Sequence, residues 1–174
     1  MSLNSYGGVR LRALEPTDVD LLYRWENDPG VWPYGCTLAP YSRKQLWEYI
    51  DTYVADPFAT RQLRLMITLG TTGEAVGTVD LYDVDAANSR AGVGIFITPE
   101  YRHSGLATMA LLRLVEYCRD RLSLHQLYAV IAVDNQPSRR LFEACGFAPS
   151  GRLKSWLKTA SSYRDAYLYQ QINN

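Results

Sequence analysis

Apolar positions along the chain keep to two periods, and the switches between those periods predict its elements. "GVRLRAL" (Gly8 to Leu14) alternates, with Val9, Leu11 and Ala13 on one face and Arg10 and Arg12 on the other, as in a half-exposed strand. "EPTDVDLLYRWEND" reads as a helix that starts at Pro16 and Thr17, with Asp20 as capping partner and Val19, Leu22 and Trp25 as its inner stripe. Asp28 to Ser42 holds three prolines and two glycines and reads as a loop. A second helix follows in "SRKQLWEYIDTYVAD", with Ser42 as N-cap and Leu46, Ile50 and Tyr53 or Val54 buried. Strands are predicted at 63–69, 74–84 and 90–98, joined by "GTTG" and "DAANS" as an antiparallel meander.

From Ala107 the period returns to three and four: Ala107, Ala110, Leu111, Leu114, Val115, Cys118 and Leu122 form the stripe of a helix of about four turns. "QLYAVIAV" (126–133) is continuously apolar, which suits a strand buried on both faces. "NQPSRRLFEACGF" is a helix with Pro137 near its start, Leu141 and Cys145 inward, and Gly146 as its stop. The tail predicts two strands around "TASS". The order β-α-α-β-β-β-α-β-α-β-β contains a strand–helix–strand unit over 90–133. That unit implies one right-handed parallel pair within a mostly antiparallel sheet. The reading is a single mixed α+β domain over 1–174, without internal repeat or linker.

Composition narrows the function classes. Eighteen basic residues balance eighteen acidic ones, so the basic excess of a general nucleic-acid binder is missing. Cys36, Cys118 and Cys145 are odd in number and widely spaced, which suggests neither a disulfide framework nor a zinc site. Cys118 and Cys145 fall in helical apolar patterns and read as buried thiols. Two histidines, His103 and His125, give no basis for a metal centre, and none is expected. "MSLNSYGG" lacks the apolar core of a signal peptide, and no apolar run is long enough to cross a membrane. These features point to the cytoplasm, with neither membrane nor nucleic acid as partner.

One stretch stands out chemically. "EYRHSGLAT" sets a basic, glycine-containing turn between a strand and a helix, as R-x-x-G-x-A from Arg102 to Ala107. A P-loop is excluded, since no Gly-Lys pair occurs, and "RHSGLA" has one glycine where a dinucleotide-binding turn needs three. The amides of His103 to Thr108 could converge on an anion at the helix N-terminus. An ordinary surface turn fits these residues as well.

"ITPEYRHSGLAT", followed one helix and one strand later by "NQPSRRLFEACGF", resembles the Gcn5-related N-acetyltransferase (GNAT) family. The first part is similar to its pyrophosphate loop, [QR]-x-x-G-x-[GA], and the second to its N-x-x-[AS]-x-x-[LIV]-[YF]-x-x-x-G-F signature. "VRLRALEPTD" is similar to the opening of the RimJ/RimL and spermidine-acetyltransferase branches. The resemblance implies a splayed central parallel pair flanked by helices, with acetyl-CoA as cosubstrate. It implies that the pantetheine arm pairs with backbone near Phe96, Ile97 and Thr98. Arg102, with the backbone of His103, Ser104, Gly105, Leu106, Ala107 and Thr108, would take the pyrophosphate. Asn135 would bond the pantetheine amides, with Ser138, Arg140 and Phe142 on the same helix beside the cofactor, although Arg139 or Arg140 could equally be a solvated charge.

Acetyl transfer to an amine needs proton removal, oxyanion stabilisation, close positioning and protonation of the leaving thiolate. Many family members have a tyrosine where this chain has Phe142, which carries no hydroxyl. Ser138 or water could stand in as the acid. Asp80, on the strand face shared with Tyr82, is the candidate base beside a water chain, while Glu100 reads as structural. Trp25, Trp32, Tyr34, Trp47, Tyr163 and Tyr167 supply aromatics for the core and for an acceptor pocket. The 28–42 loop lacks carboxylates beyond Asp28, with Glu26, Glu48 and Asp51 nearby, which weakens a polyamine reading. The acceptor is thus a small-molecule amine, a polyamine or a peptide N-terminus. A non-catalytic acyl-CoA sensor is the alternative, and a homo-oligomer is implied by the resemblance.

Overall fold

Seven strands form one sheet among the residues described (8–32, 39–159 and 161–173) in this computed structural model, in the order β1-β2-β3-β4-β5-β7-β6. They are β1 (Val9–Arg12), β2 (Leu63–Leu69), β3 (Ala75–Asp85), β4 (Arg90–Ile97), β5 (Gln126–Ala132), β6 (Ala148–Lys158) and β7 (Tyr163–Ile172). Every neighbouring pair is antiparallel except β4 and β5, which are parallel. The mixed sheet with one central parallel pair is the expected fold, with strand ends within about two residues of those read from the sequence. Tyr34 and Cys36 lie outside the described residues.

The chain divides into two compact units, Met1–Arg12 with Asp56–Asn174, and Ala13–Ala55. The smaller unit holds a 3-10 turn (Pro16–Asp18), α1 (Val19–Glu26) and α2 (Arg43–Asp51). Its first cap differs from the expected Thr17–Asp20 pair. The Glu15 amide donates to Asp18 Oδ2 at 2.8 Å, and Asp20 instead pairs with Arg43 at 2.7 Å. Proline at the first position moves the turn's start one residue earlier, so the acid three residues after Glu15 does the capping. Ser42 caps α2 as expected, its Oγ accepting from the Gln45 amide and Gln45 Oε1 from its own. Leu22, Leu46 and Ile50 are buried, whereas Val54 is exposed, because α2 ends at Asp51 and its stripe stops there.

In the larger unit α3 (Pro57–Thr60) is one short turn, which apolar periodicity is too coarse to reveal. Asp56 Oδ1 holds it by accepting from the amides of Phe58 and Ala59. α4 (Leu106–Asp120) buries Ala110, Leu111, Leu114 and Cys118 against the sheet face that presents Val79, Leu81, Ala91 and Val93. α5 (Gln136–Ala144) packs beside α4 and turns Phe142 into the core, edge-to-face with Phe147 at 5.0 Å.

A polar clamp fixes α5 to the sheet. Arg139 Nε donates to the Tyr169 hydroxyl at 3.1 Å and its Nη1 to the Val133 carbonyl at 3.1 Å, with the guanidinium over the Tyr167 ring. Tyr169, fully buried, donates onward to Glu143 Oε1 at 2.8 Å. Burial raises the Tyr169 pKa, and the Glu143 bond acts in the same direction. At the sheet edge β6 carries a bulge between Leu153 and Leu157, with Ser155 at φ 47°. Asp165 ties this bulge down, accepting from the Ser155 amide at 2.8 Å and from Arg152 Nε at 2.8 Å.

Tyr169→Phe removes the central hydroxyl of the clamp and leaves the ring in place. It should lower unfolding free energy by about 1–2 kcal/mol in urea denaturation with an unchanged m-value. An m-value change, or no loss, would show that the clamp does not hold α5.

Candidate functional site

The site begins where β4 and β5 part. They pair at three positions only, Arg90 with Gln126, Ala91 with Leu127 and Gly92 with Tyr128. Both strands continue, β4 held by β3 as far as Ile97 and β5 held by β7 as far as Ala132. Their facing edges therefore diverge with backbone groups not paired strand to strand. The Thr98 amide donates to the Val76 carbonyl, toward β3. Backbone direction alternates along a strand, so Phe96 shares that orientation and Val93, Ile95 and Ile97 face the gap. Of the expected Phe96, Ile97 and Thr98, Ile97 is the one whose backbone points inward.

The end of β4 leads into a 3-10 turn (Pro99–Tyr101) and then α4. His103 and Gly105 both take positive φ, 60° and 80°. Gly105 is the N-cap of α4 and offers no side-chain acceptor to the first-turn amides, whereas α2, α3 and α5 are each capped by a side-chain oxygen. A Cβ at Gly105 would meet open space, so glycine is favoured there by backbone conformation rather than by crowding. The result is an exposed helix N-terminus with amides available to an anion. Ser104 Oγ donates to the Tyr101 carbonyl, and Tyr101 donates to Glu74 at 2.8 Å, which braces the turn. Arg102 folds back, its Nε donating to the Ile97 carbonyl at 3.0 Å, and so links the turn to the gap edge of β4. Leu106 is buried, while Ala107 and Thr108 are half-buried.

Across the gap, Asn135 caps α5, its Oδ1 accepting from the Ser138 amide at 3.2 Å. That bond engages the carbonyl oxygen and leaves the NH₂ group as its donor. Ser138 is half-buried in the first turn of the helix. Arg140 is exposed and reaches Gln136, whereas Arg139 is engaged in the clamp. Phe142 is 2% exposed.

Three adjacent strands form a row at the base of the gap: Tyr82, Gly92 and Tyr128. The two tyrosine rings meet edge-to-face at 5.8 Å, across the glycine between them. A Cβ at Gly92 would come within 2.2 Å of the Tyr82 ring, so the ring's position requires glycine. One row on lie Arg64, Asp80 and Gly94, with Arg64 Nε to Asp80 Oδ1 at 2.6 Å. Asp80 thus shares the sheet face of Tyr82, as alternation predicts, and stands beside Gly94, the first glycine of β4 beyond the last paired row. Arg64, Tyr128 and the two glycines were not singled out from the sequence; each reads locally as ordinary strand, and only strand register aligns them. Trp47 and Tyr163 are exposed and Tyr167 lies under Arg139. Among the described residues no group of three or more His, Cys, Asp and Glu side chains is gathered to hold a metal ion, and no helix is long and apolar enough to cross a membrane.

A diverging parallel pair that feeds an uncapped helix N-terminus defines a class, and comparison with known proteins agrees with it. The family model described as Acetyltransferase (GNAT) domain matches residues 9–148, and the chain belongs to that family. It is an N-acetyltransferase, of a family that uses acetyl-CoA. Spermidine N(1)-acetyltransferase of Escherichia coli (strain K12) is 27% identical over 158 residues, which cover 91% of this chain and 82% of that protein. The structure of spermidine N-acetyltransferase from Vibrio cholerae with CoA and spermine superposes with a TM-score of 0.82 at 25% identity, covering 95% of each chain. A dodecameric structure of the Vibrio cholerae enzyme gives 0.79 at 26% identity, covering 95% of this chain and 94% of that one.

Burial pushes the Cys118 thiol up to about 12 and the Cys145 thiol up to about 11, so both stay protonated at neutral pH. In a Cys36→Ser variant, a disulfide reagent at pH 8 should modify neither thiol in the native protein and both in guanidinium. Rapid native modification would show that burial does not protect them.

Proposed function

We propose that the gap between β4 and β5 receives the pantetheine arm of acetyl-CoA and that the N-terminus of α4 receives its pyrophosphate. The residues fit such a ligand. Ile95 offers inward backbone and Ile97 its inward amide, its carbonyl being held by Arg102; Asn135 offers an amide donor with no partner among the described residues, and Gly105 an open cap with the amides of Leu106, Ala107 and Thr108 behind it. Arg102, His103 and Ser104 line the same turn, and Arg140 stands exposed on α5. The observation that carries this reading is the end of pairing at Gly92 and Tyr128. Acetyl-CoA, when bound, supplies an activated thioester.

The acceptor is a primary amine of a small molecule, arriving at the base of the gap beside Gly94. Its nitrogen lone pair forms the new C–N bond to the acetyl carbonyl carbon as the C–S bond breaks. The ammonium form gives up two protons in all, one to the leaving sulfur and one to solvent. Asp80 attracts the ammonium and takes the first proton, with Arg64 holding its carboxylate in place. Ser138 is the hydroxyl offered to the thiolate, since Phe142 has none. Similarity to spermidine acetyltransferases places polyamines in the set of amines to test, and the dodecameric relative makes a homo-oligomer the expected assembly.

Incubation with acetyl-CoA and a panel of amines, with release of free thiol followed, tests the reading. Turnover of at least one primary amine is expected, and CoA binding without release for any amine would favour an acyl-CoA sensor. Asp80→Asn should lower kcat at least tenfold with CoA affinity unchanged. Gly105→Glu sets a charge and a strained φ at the helix cap and should weaken CoA binding at least tenfold by calorimetry. Unaltered CoA affinity in that variant would move the pyrophosphate site elsewhere.

A further inference from the structure

A cavity of about 450 Å³ opens on the sheet face away from α4, lined by Arg61, Asp83, Asp85, Arg90 and Tyr128. Its β5 wall follows from alternation, since Gln126 and Tyr128 point opposite to the core residues Leu127 and Ala129. The cavity adjoins the site already described, because Tyr128 belongs to the last paired row of β4 and β5. An amine lying along Tyr128 is directed toward Gly94 and Asp80, two residues or about 7 Å further along the strand.

The charges of the lining divide into two sets. Arg90 is paired with Asp85 at 3.0 Å, and Asp85 also accepts from Asn88. Gln170 donates to Gln126 at 2.8 Å. The other set is unengaged. Arg61 uses only Nε, on the Val84 carbonyl, and among the described residues neither its terminal nitrogens, the Asp83 carboxylate nor the Tyr128 hydroxyl has a hydrogen-bond partner. Both charged groups sit on unusual backbone. Asp83 has φ 47° in a bulge that breaks the β3–β4 register between Tyr82 and Asp85, and Arg61 has φ 58° just after α3. The bulge returns Val84 to the core and turns Asp83 into the cavity.

We infer that this cavity is the acceptor pocket and that it selects a primary amine which also bears an anionic group. Asp83 meets the ammonium as it enters on its way to Asp80, and the guanidinium of Arg61, bonded to Val84 beside Asp83, meets the carboxylate or comparable anion that follows. Tyr128 supplies a hydroxyl and a ring edge to the same cavity. A polyamine with its reacting amine at Asp80 suits this lining less well, because its second cation would lie against Arg61, whose positive charge opposes the attraction of Asp83. The inference rests on the acetyltransferase reading above and names the substrate class of that site.

A matched series separates the possibilities: 5-aminovalerate, n-pentylamine and cadaverine share one chain length and differ in the far terminus. With acetyl-CoA present, kcat/KM should be at least tenfold higher for 5-aminovalerate than for cadaverine, chiefly through KM. Arg61→Gln should abolish the preference for 5-aminovalerate over n-pentylamine, and Arg61→Lys should restore part of it. Preference for cadaverine or spermidine in the wild type, or an Arg61→Gln variant that keeps the carboxylate preference, would overturn the inference. Calorimetric titration of the CoA-loaded protein with the same three amines supplies a readout independent of turnover. The expected affinity order without thiol release would support the pocket and refute the catalytic reading, whereas turnover without that order would refute the pocket alone.

Discussion

The whole site depends on one failure of pairing. β4 and β5 are joined for three residues and then part, while each stays bonded to its other neighbour. A sheet interior normally satisfies every backbone amide and carbonyl. Here the sheet is split at its centre without either half losing order, because β3 and β7 hold the two edges in place. Such an opening can receive an extended ligand that completes the ladder, and its orientation is set by the strands themselves. The parallel arrangement matters as well. A crossover helix must follow β4, and its N-terminus comes to lie near the end of the strand from which the gap opens.

Around that opening, rigidity is supplied by polar ties rather than by size. Tyr169 links Arg139 and Glu143 of α5 to β7, so the helix that carries Asn135 and Ser138 is referenced to the β5 half of the sheet. Arg102 and Tyr101 brace the turn before α4 to β4 and to Glu74, on the β3 side. The two halves of the gap thus have separate anchors, and a ligand between them bears on both.

Much of this was legible in the residues. The meander over 63–98, the long helix behind "RHSGLA" and the short helix behind Asn135 follow from periodicity and caps, because each is a local property. The parallel pair followed from the strand–helix–strand order. Other features were not legible for the same physical reason in reverse. Glu15 displaced Thr17 as cap because Pro16 shifts the turn by one residue, a choice both patterns allow. α3 is too short to have a period. The alignment of Tyr82, Gly92 and Tyr128, and the pairing of Arg64 with Asp80, depend on register among strands far apart in sequence. Asp83 reads as one more residue of an alternating strand until the bulge takes it out of step.

The bulge in β6 bears on solubility. β6 is an edge of the sheet, eleven residues long and largely exposed, with Trp156 on its surface. A straight strand of that length would offer a continuous ladder to any other extended chain. Asp165, by holding Ser155 in a left-handed conformation, interrupts the ladder partway along. With a second irregularity between Pro149 and Gly151, the edge is divided into three short stretches, and a foreign strand cannot stay in register across them. Unbroken strand addition along this edge is thus closed to other copies of the chain as well.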